Sequence, residues 1–578
     1  MLVWLSRCLP GFSIIALAAM LVFAFSGLLT SALWLRIFPP SIFPPFEDPW
    51  NGLNIAQIVF VIYNVVVHIQ MCAFTVRLGW SFTDMIKQTR LAIQRRPLEV
   101  PITSTGHVEM IAGPKMSINK PMDQIDEQTP APELIHAIIL PNYCEDLHTL
   151  ETTLKVLACH PRAKAQYEIY LAMELKEESS MMKAAQLVSA FEDHFLGIHS
   201  TFHPPGIQGE IAGKSSNVAF AARSIIEVHR SSLRMDECNV MVTVMDADTH
   251  LSRDYFTEIR RLHYNNITEA NRAIYCCPII FDRNSNESPI LVRCADLLWS
   301  FAGISTMHPY TAIAIPTSVY SLPLSLAERV GGWDSDPTAI GEDLHMLLKC
   351  YFETSGNLIS RVVYIPASQC NVSSDRGIGW RRTVDTWLAR YRQALRHMWG
   401  ALDSGFAARR TIGYLRFHQR CLFLRPRHFA LLHLLWEAHF MPCHLTILML
   451  FSVLYTLWTP AGLLHPTLAW AFGFTNTLRT LAFIGLNISV VLYERWHAIC
   501  LNSRMKDMHE ANIPDTGFSH RLWSRPQQLF ERLCLPVSGT IYGAVPTIHA
   551  VFSHFWTDRL VYRVSKKPKF VLEELGVL

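Results

Sequence analysis

The sequence predicts an α/β protein with a mostly parallel sheet, flanked on both sides by transmembrane helices. Three observations carry that reading. Apolar runs of strand length alternate with helix-length segments through the middle of the chain. Uncharged apolar stretches long enough to cross a bilayer stand before and after that middle. Half of the 578 residues are hydrophobic, more than a wholly soluble chain of ordinary composition carries, so part of that surface faces lipid.

Charge and cysteine content exclude other classes. The net charge of +3 is too small for a nucleic-acid interface, which needs a basic stripe on one face. The 14 cysteines form no C-x-x-C pair and no His/Cys group at zinc spacing, so reduced thiols are expected.

Residues 1–99 are read as two N-terminal transmembrane helices with a basic cytosolic flank. The first apolar run, Gly11 to Leu35, spans about 25 uncharged residues, enough for about 30 Å of hydrocarbon and longer than the apolar core of a signal peptide. The second, Leu53 to Val76, follows a proline-rich link, Arg36 to Asn51, expected as an extracytosolic turn. Arg77, Lys87, Arg90, Arg95 and Arg96 come next, the positive flank of a cytosolic side. Residues 100–132 read as a polar linker. Residues 401–578 return to the membrane with about three or four spanning or re-entrant segments. These are Pro442 to Trp458, one long or two short helices in Leu463 to Tyr493, and Leu533 to Phe555, interrupted by prolines and glycines and followed by a basic tail.

The soluble middle, 133–400, opens with three strand patterns: HAIILP, YEIYLAM and NVMVTVMDAD. Helical stretches lie between them at Met181 to Phe195 and Ser216 to Val228. Parallel sheets bind ligands beyond the carboxyl ends of their strands, so the residues that follow each strand are the candidates.

After the first strand, PNYCED presents Asn142, Glu145 and Asp146; after the second stands Glu174. Each alone is read as a solvated loop group. After the third stands Asp246-Ala-Asp248, whose carboxylates, two residues apart, face one way on an extended backbone. At a separation of about 4 Å they repel by roughly 4 kcal/mol at an effective dielectric near 20, and a hard cation such as Mg²⁺ or Mn²⁺ relieves that repulsion. Lys214 sits beside the start of a helix, a place that suits an anion such as a diphosphate. Further on, VGGWDSDPTAIGEDLHMLL sets a glycine turn and then Glu342 and Asp343 at the first turn of a helix, where a plain N-terminal cap is the competing reading. The segment Trp387 to Trp399 is an amphipathic basic helix with Arg390, Arg392, Gln393, Arg396 and His397; a helix lying on the membrane surface has the same pattern.

In this order the elements resemble the cytosolic part of membrane-bound family 2 glycosyltransferases, the group that includes cellulose, chitin and hyaluronan synthases, from about Glu133 to Gly400. PNYCED is similar to that family's opening nucleotide-binding turn, Gly213-Lys214-Ser215-Ser216-Asn217 to its Gly-Lys helix start, and Asp246-Ala-Asp248 to its metal and nucleotide motif. GGWD with Gly341-Glu342-Asp343 resembles its acceptor-side motif, and Gln393-Ala-Leu-Arg396-His397 its Gln-x-x-Arg-Trp motif. The resemblance implies a nucleotide-sugar-binding GT-A-like fold and an inverting, metal-dependent hexosyl transfer at the membrane. The acceptor is a lipid, glycan or small-molecule hydroxyl. It makes Asp343 the base and gives Asn142, Glu145, Glu174, Lys214, Asp246, Gln393 and Arg396 to the nucleotide-sugar. It also assigns Asp246 and Asp248 to Mg²⁺ or Mn²⁺, and Trp333, Glu342 and His397 to the acceptor side.

Glu174 stands where the family usually has Asp, and His397 where it has Trp, the latter favouring a short product over processive polymer synthesis. A processive synthase of the same family is the alternative. A transporter or scaffold is a further one, supported by Arg479 and Glu437 but disfavoured because the motif residues gather in the soluble middle. The sequons at Asn266, Asn286, Asn371 and Asn487 fall in cytosolic or membrane stretches and are expected to stay unglycosylated.

Overall fold

The computed structural model describes residues 2–25, 52–95, 133–230, 239–374, 378–416, 425–460, 464–513, 518–522 and 527–560. The extracytosolic turn, the second half of the first apolar run, the linker and the basic tail fall outside these residues.

Helix α1 (Leu9–Phe25) is apolar and 17 residues long. Helix α2 (Ile55–Gln94) starts at a capping box: the Asn54 side chain accepts from the Gln57 backbone at 2.8 Å, and Gln57 reaches back to Asn54 at 3.0 Å. Its 40 residues extend about 60 Å, twice the hydrocarbon thickness. The first half is apolar. The second buries Leu78, Phe82 and Met85 in the core shared with the sheet.

The main sheet takes strands from β1 (Ile135–Asn142), β2 (Tyr167–Glu174), β3 (Gly197–His203), β4 (Val240–Val244), β6 (Ala273–Cys276), β8 (Tyr320–Pro323) and β9 (Ile359–Val362) in the order β3-β2-β1-β4-β8-β6-β9. All pairs are parallel except those of β8, which runs antiparallel to β4 and β6. A three-stranded sheet, β5 (His250–Leu251), β10 (Ala367–Gln369) and β7 (Ile279–Phe281), lies beside it in the order β5-β10-β7.

The strand β1 is apolar at successive positions because both faces are covered. Ala137 and Ile139 enter one core cluster, while Ile138 and Leu140, pointing the other way, enter a second. Strand β4 divides the same way, with Val240, Val242 and Val244 on one side and Met241 on the other. Burying each Ile or Leu fully contributes about 1.5–3 kcal/mol. Strand β3, GIHSTFH, is absent from the sequence reading: it is an edge strand of half-exposed polar residues with no apolar run.

Helix α3 (Lys214–His229) packs on β1, β2 and β3, and α4 (Ile290–Ser305) lies against α2. Helix α5 (Glu342–Glu353) follows the glycine turn, in which Gly331 and Gly332 take φ of +82° and +73°, a conformation side chains resist. Helix α6 (Trp380–Trp399) buries Thr386, Arg390 and Ala394 at i, i+4 spacing, so this face docks on protein. Arg390 pairs with Asp296 of α4 at 2.8 Å.

Helices α7 (Leu402–Arg416) and α8 (Pro426–His439) lead to α9 (Met441–Trp458) and α10 (Pro466–Glu510). The stretch offered by the sequence as one long or two short helices is a single helix of 45 residues. Helices α2, α9 and α10 are the three among the described residues long and apolar enough to cross a membrane, consistent with a membrane protein. The last candidate segment divides into α11 (Gln527–Gly539), a π turn (Thr540–Ala544) and α12 (Val545–Ser553). The three are contiguous and helical at both junctions, so residues 527–553 form one helical stretch carrying a π turn.

Helices α2 and α10 run side by side in parallel. Cys72 donates to the Leu478 carbonyl at 3.1 Å, a Cβ on Gly485 would lie 2.7 Å from Thr75 Oγ1, and Trp496 Nε1 donates to Thr89 Oγ1 at 3.0 Å. The partners ascend together in sequence, so both helices carry their second halves into the α/β unit. Arg77 secures the junction, pairing with Glu437 of α8 at 2.7 Å.

Candidate active site

One cavity of about 580 Å³ gathers residues from the ends of β1, β2 and β4, the start of α3, the first turn of α5 and the last turns of α6. Asn142, Glu145, Glu174, Lys214, Asp246, Asp248, Glu342, Asp343, Gln393, Arg396 and His397 all line it. Side chains scattered over some 250 positions therefore share one cleft, as parallel-sheet topology requires.

At its centre stands Lys214. Its ammonium lies 2.8 Å from Asp246 Oδ1, 3.1 Å from Glu342 Oε1 and 3.2 Å from the Ser318 carbonyl. Burial works to lower the lysine pKa, but Asp246 and Glu342 outweigh it and hold the group above its ordinary value. Burial pushes the Glu342 carboxyl up to about 7, with Asp343 and Asp246 adding to the rise and Lys214 opposing it. Asp343 is raised by burial as well, with Lys214 again opposing. Asp343 Oδ1 accepts from the Leu344 backbone N–H at 2.8 Å, which fixes the carboxylate at the helix start.

Asp246 and Asp248 face the cavity from the loop after β4. Asp246 Oδ2 accepts from Gln369 Nε2 at 2.9 Å, and Asp248 Oδ2 accepts from the Cys370 backbone N–H at 3.1 Å. Among the described residues, no three His, Cys, Asp or Glu side chains gather as a closed metal site. The donor set is two hard carboxylates in a cleft open to a ligand, which fits Mg²⁺ or Mn²⁺ bound jointly by protein and diphosphate.

The nucleotide-side candidates are held by partners of their own. Asn142 Nδ2 donates to Glu177 Oε2 at 3.3 Å, and Glu145 Oε2 accepts from the Tyr143 N–H at 2.9 Å. Glu174 pairs with His203 of β3 at 3.0 Å. Cys144, in the same turn, has φ of +61°, and its N–H donates to Glu177 Oε2 at 2.8 Å. On α6, Gln393 Oε1 is buried with no hydrogen-bond partner among the described residues. The His397 ring packs on Trp299 of α4, with centroids 4.6 Å apart.

Trp333 is not brought to the cleft. It is buried in the core and donates from Nε1 to the Tyr320 hydroxyl at 2.7 Å, so its indole supports the glycine turn instead of lining the acceptor side.

The sequence reading assigned four groups no place in the cleft and used Glu437 only in support of a transporter or scaffold. Asp403 of α7 is fully buried, lines the cavity and binds His345 Nδ1 at 2.5 Å. Burial works against a charge on His345, but Asp403 and Asp334 raise its pKa to about 9. Gln369, Glu177 and Glu437 are the others: the first holds Asp246, the second organises the β1 turn, and the third lines the cavity from α8. Only a carboxylate just past the late helix, Asp403, carried a positional signal. Of the sequons, Asn371 is buried and donates to Asp296 at 2.6 Å, whereas Asn286 is exposed.

Residues 241–474 match the family described as Glycosyl transferase family group 2. The match includes Asp246, Asp248, Glu342, Asp343, Gln393, Arg396 and His397, whereas Asn142, Glu145, Glu174 and Lys214 precede it. It supports a family 2 glycosyltransferase, an enzyme class that uses a nucleotide-sugar donor and an acceptor. No curated protein matches the chain.

Proposed function

We propose that this chain is an inverting glycosyltransferase that moves a sugar from a nucleotide-sugar to a hydroxyl acceptor at the membrane. The observation that carries the reading is the convergence of Asp246, Asp248, Lys214 and Asp343 on one cavity. That cavity continues to Phe74 of α2 and Met441 of α9, two helices of membrane-spanning character. An acceptor held at the bilayer therefore has a route to the base.

In this reading Asp343 takes the proton of the acceptor hydroxyl as its oxygen attacks the anomeric carbon. The bond to the diphosphate breaks on the opposite face, and the configuration inverts. The leaving diphosphate needs charge neutralisation, not a proton, and Lys214 and Arg396, which both line the cavity, provide it. Asp246 and Asp248 would hold Mg²⁺ or Mn²⁺, which supplies Lewis-acid stabilisation of the diphosphate oxygens. Asn142, Glu145, Glu174 and Gln393 border the nucleotide-sugar, while Glu342 and His397 border the acceptor. The His397–Trp299 packing fills space on that side and supports a short product over a growing polymer.

The test is a panel of UDP- and GDP-sugars incubated with the detergent-solubilised full chain, with and without Mn²⁺. The expected result is metal-dependent release of nucleoside diphosphate from at least one donor, with a product of one added sugar. Release that ignores the metal, or that persists in full in Asp343→Asn, would refute the reading.

A further inference from the structure

The three-residue strand β10 and its successor link the long helix α10 to the carboxylates after β4. Ser368 Oγ donates to Asp282 Oδ1 at 2.6 Å on one face of the strand. Asp282 is buried and bound from α10 by His497 Nε2 at 2.8 Å and by Arg504 at 3.0 Å. Gln369, the next residue, points to the other face, as strand alternation dictates, and its amide donates to Asp246 Oδ2 at 2.9 Å. Cys370 then gives its backbone N–H to Asp248 Oδ2 at 3.1 Å. Consecutive residues of one short segment therefore bind Asp282, which α10 holds, then the first carboxylate and then the second.

The geometry of Gln369 is specific. Its Nε2 has two hydrogens and three oxygens within reach: Asp246 Oδ2, Thr249 Oγ1 at 3.0 Å and Ser318 Oγ at 2.8 Å. The carboxylate is the strongest acceptor of the three, and a hydroxyl on either side fixes the amide plane. Ser318 is also the residue whose carbonyl accepts from Lys214, so the amide and the ammonium hold opposite oxygens of Asp246 within one network. On the far side, a second ion-pair cluster docks the same stretch of α10: Arg253 binds Asp507 at 2.6 Å and also contacts Glu510. A buried ion pair of this kind contributes little net stability, but it fixes position, because either partner alone is left as an uncompensated charge.

We propose that Gln369 is a positioning residue for Asp246, and that the α10 cluster of His497 and Arg504 on Asp282 sets the placement of β10 and, through it, of both carboxylates. The helix that leaves the membrane thus supports the cation and diphosphate end of the cleft from behind. The inference rests on the proposed reading of Asp246 and Asp248 as ligands of a metal–nucleotide pair.

The test measures binding, not turnover: calorimetric titration of the full chain in detergent with UDP and with GDP, each at fixed Mn²⁺, for wild type, Gln369→Leu, Ser368→Ala and the double variant. Outer-shell partners of metal ligands commonly change affinity by roughly 10- to 100-fold. Gln369→Leu is expected to weaken binding about tenfold at the low end of that range, and Ser368→Ala by a few-fold. The double variant should then lose less than the sum of the two single losses, since Gln369 lies on the path through which Ser368 reaches Asp246 and only the Cys370–Asp248 contact remains outside it. Arg504→Met should weaken binding in the same way. If it does not fold, as its thermal midpoint will report, the serine and glutamine pair still decides the matter. Full additivity in the double variant, or wild-type affinity in both single variants, overturns the inference. Failure of the wild-type chain to bind either nucleotide with Mn²⁺ overturns the proposed function itself and this inference with it.

Discussion

Replacing Lys214 by methionine removes a cation that touches both Asp246 and Glu342, at 2.8 and 3.1 Å. Two unit charges about 4 Å apart attract by roughly 4 kcal/mol at an effective dielectric near 20, so two such pairs are at stake. The chain does not lose all of that, because a carboxyl deprived of its partner takes up a proton. Glu342 already titrates near 7 with the lysine present, and without it the value rises further. A carboxyl whose folded pKa lies above its unfolded value is most favourable at low pH and loses stability as pH climbs through that window. In the wild type this decline runs from the ordinary glutamate range to about 7; in the variant it continues above 7. The stability gap between the two proteins should therefore be modest near pH 6 and widen towards pH 8, reaching the roughly 3–5 kcal/mol typical of breaking a buried pair. The assay is the thermal midpoint of the detergent-solubilised chain without divalent cations, at both pH values. A gap that is constant or narrower at pH 8 would show that Glu342 does not depend on the Lys214 charge.

Asp343→Asn should lower transfer by roughly 10² to 10⁴ while leaving nucleotide affinity close to wild type, as read by nucleoside diphosphate release and calorimetry. His345, held between Asp403 and Asp334 with its pKa raised to about 9, contributes stability that is complete below its ordinary value near 6.5 and disappears as pH rises through 9; His345→Gln should flatten melting curves across that window. Gly485→Val should lower stability by roughly 1–3 kcal/mol, because a side chain there meets Thr75 at 2.7 Å and separates α2 from α10; an unchanged melting temperature would contradict their contact. Met182 is 70% exposed on the α/β unit, so Met182→Cys should resist an impermeant thiol reagent in intact cells and react after permeabilisation; labelling of intact cells would reverse the proposed topology.

What the sequence made legible follows from where physical chemistry writes a local pattern. The strands β1, β2 and β4 are covered on both faces, and their mostly apolar runs announce them. Asp246-Ala-Asp248 and Gly341-Glu342-Asp343 follow a strand and open a helix, positions that a local pattern marks even where, as for Glu342 and Asp343, a helix cap reads the same way. Trp333 misled for the opposite reason. An aromatic after a glycine turn suits a binding wall and a core equally, and only the Tyr320 hydroxyl, brought up by an antiparallel strand, decides between them.

The residues that escaped the reading are those whose role depends on two distant segments at once. Gln369 has no sequence signature, since a neutral amide at the end of a three-residue strand is unremarked until β7 and β5 place that strand behind Asp246. Asp282 is equally silent, for nothing local says that His497 and Arg504, more than 200 positions later, arrive to bind it. That arrival requires α10 to continue past its apolar half as one helix, which composition alone left open between one helix and two. Continuity of α10 is thus the structural fact on which the support of the cleft turns: a break near Tyr493 would separate the apolar half from the Asp282 cluster. Inserting two glycines between Glu494 and Arg495 should therefore weaken Mn²⁺–nucleotide binding as Gln369→Leu does, and wild-type affinity in that variant would refute the dependence of the cleft on α10.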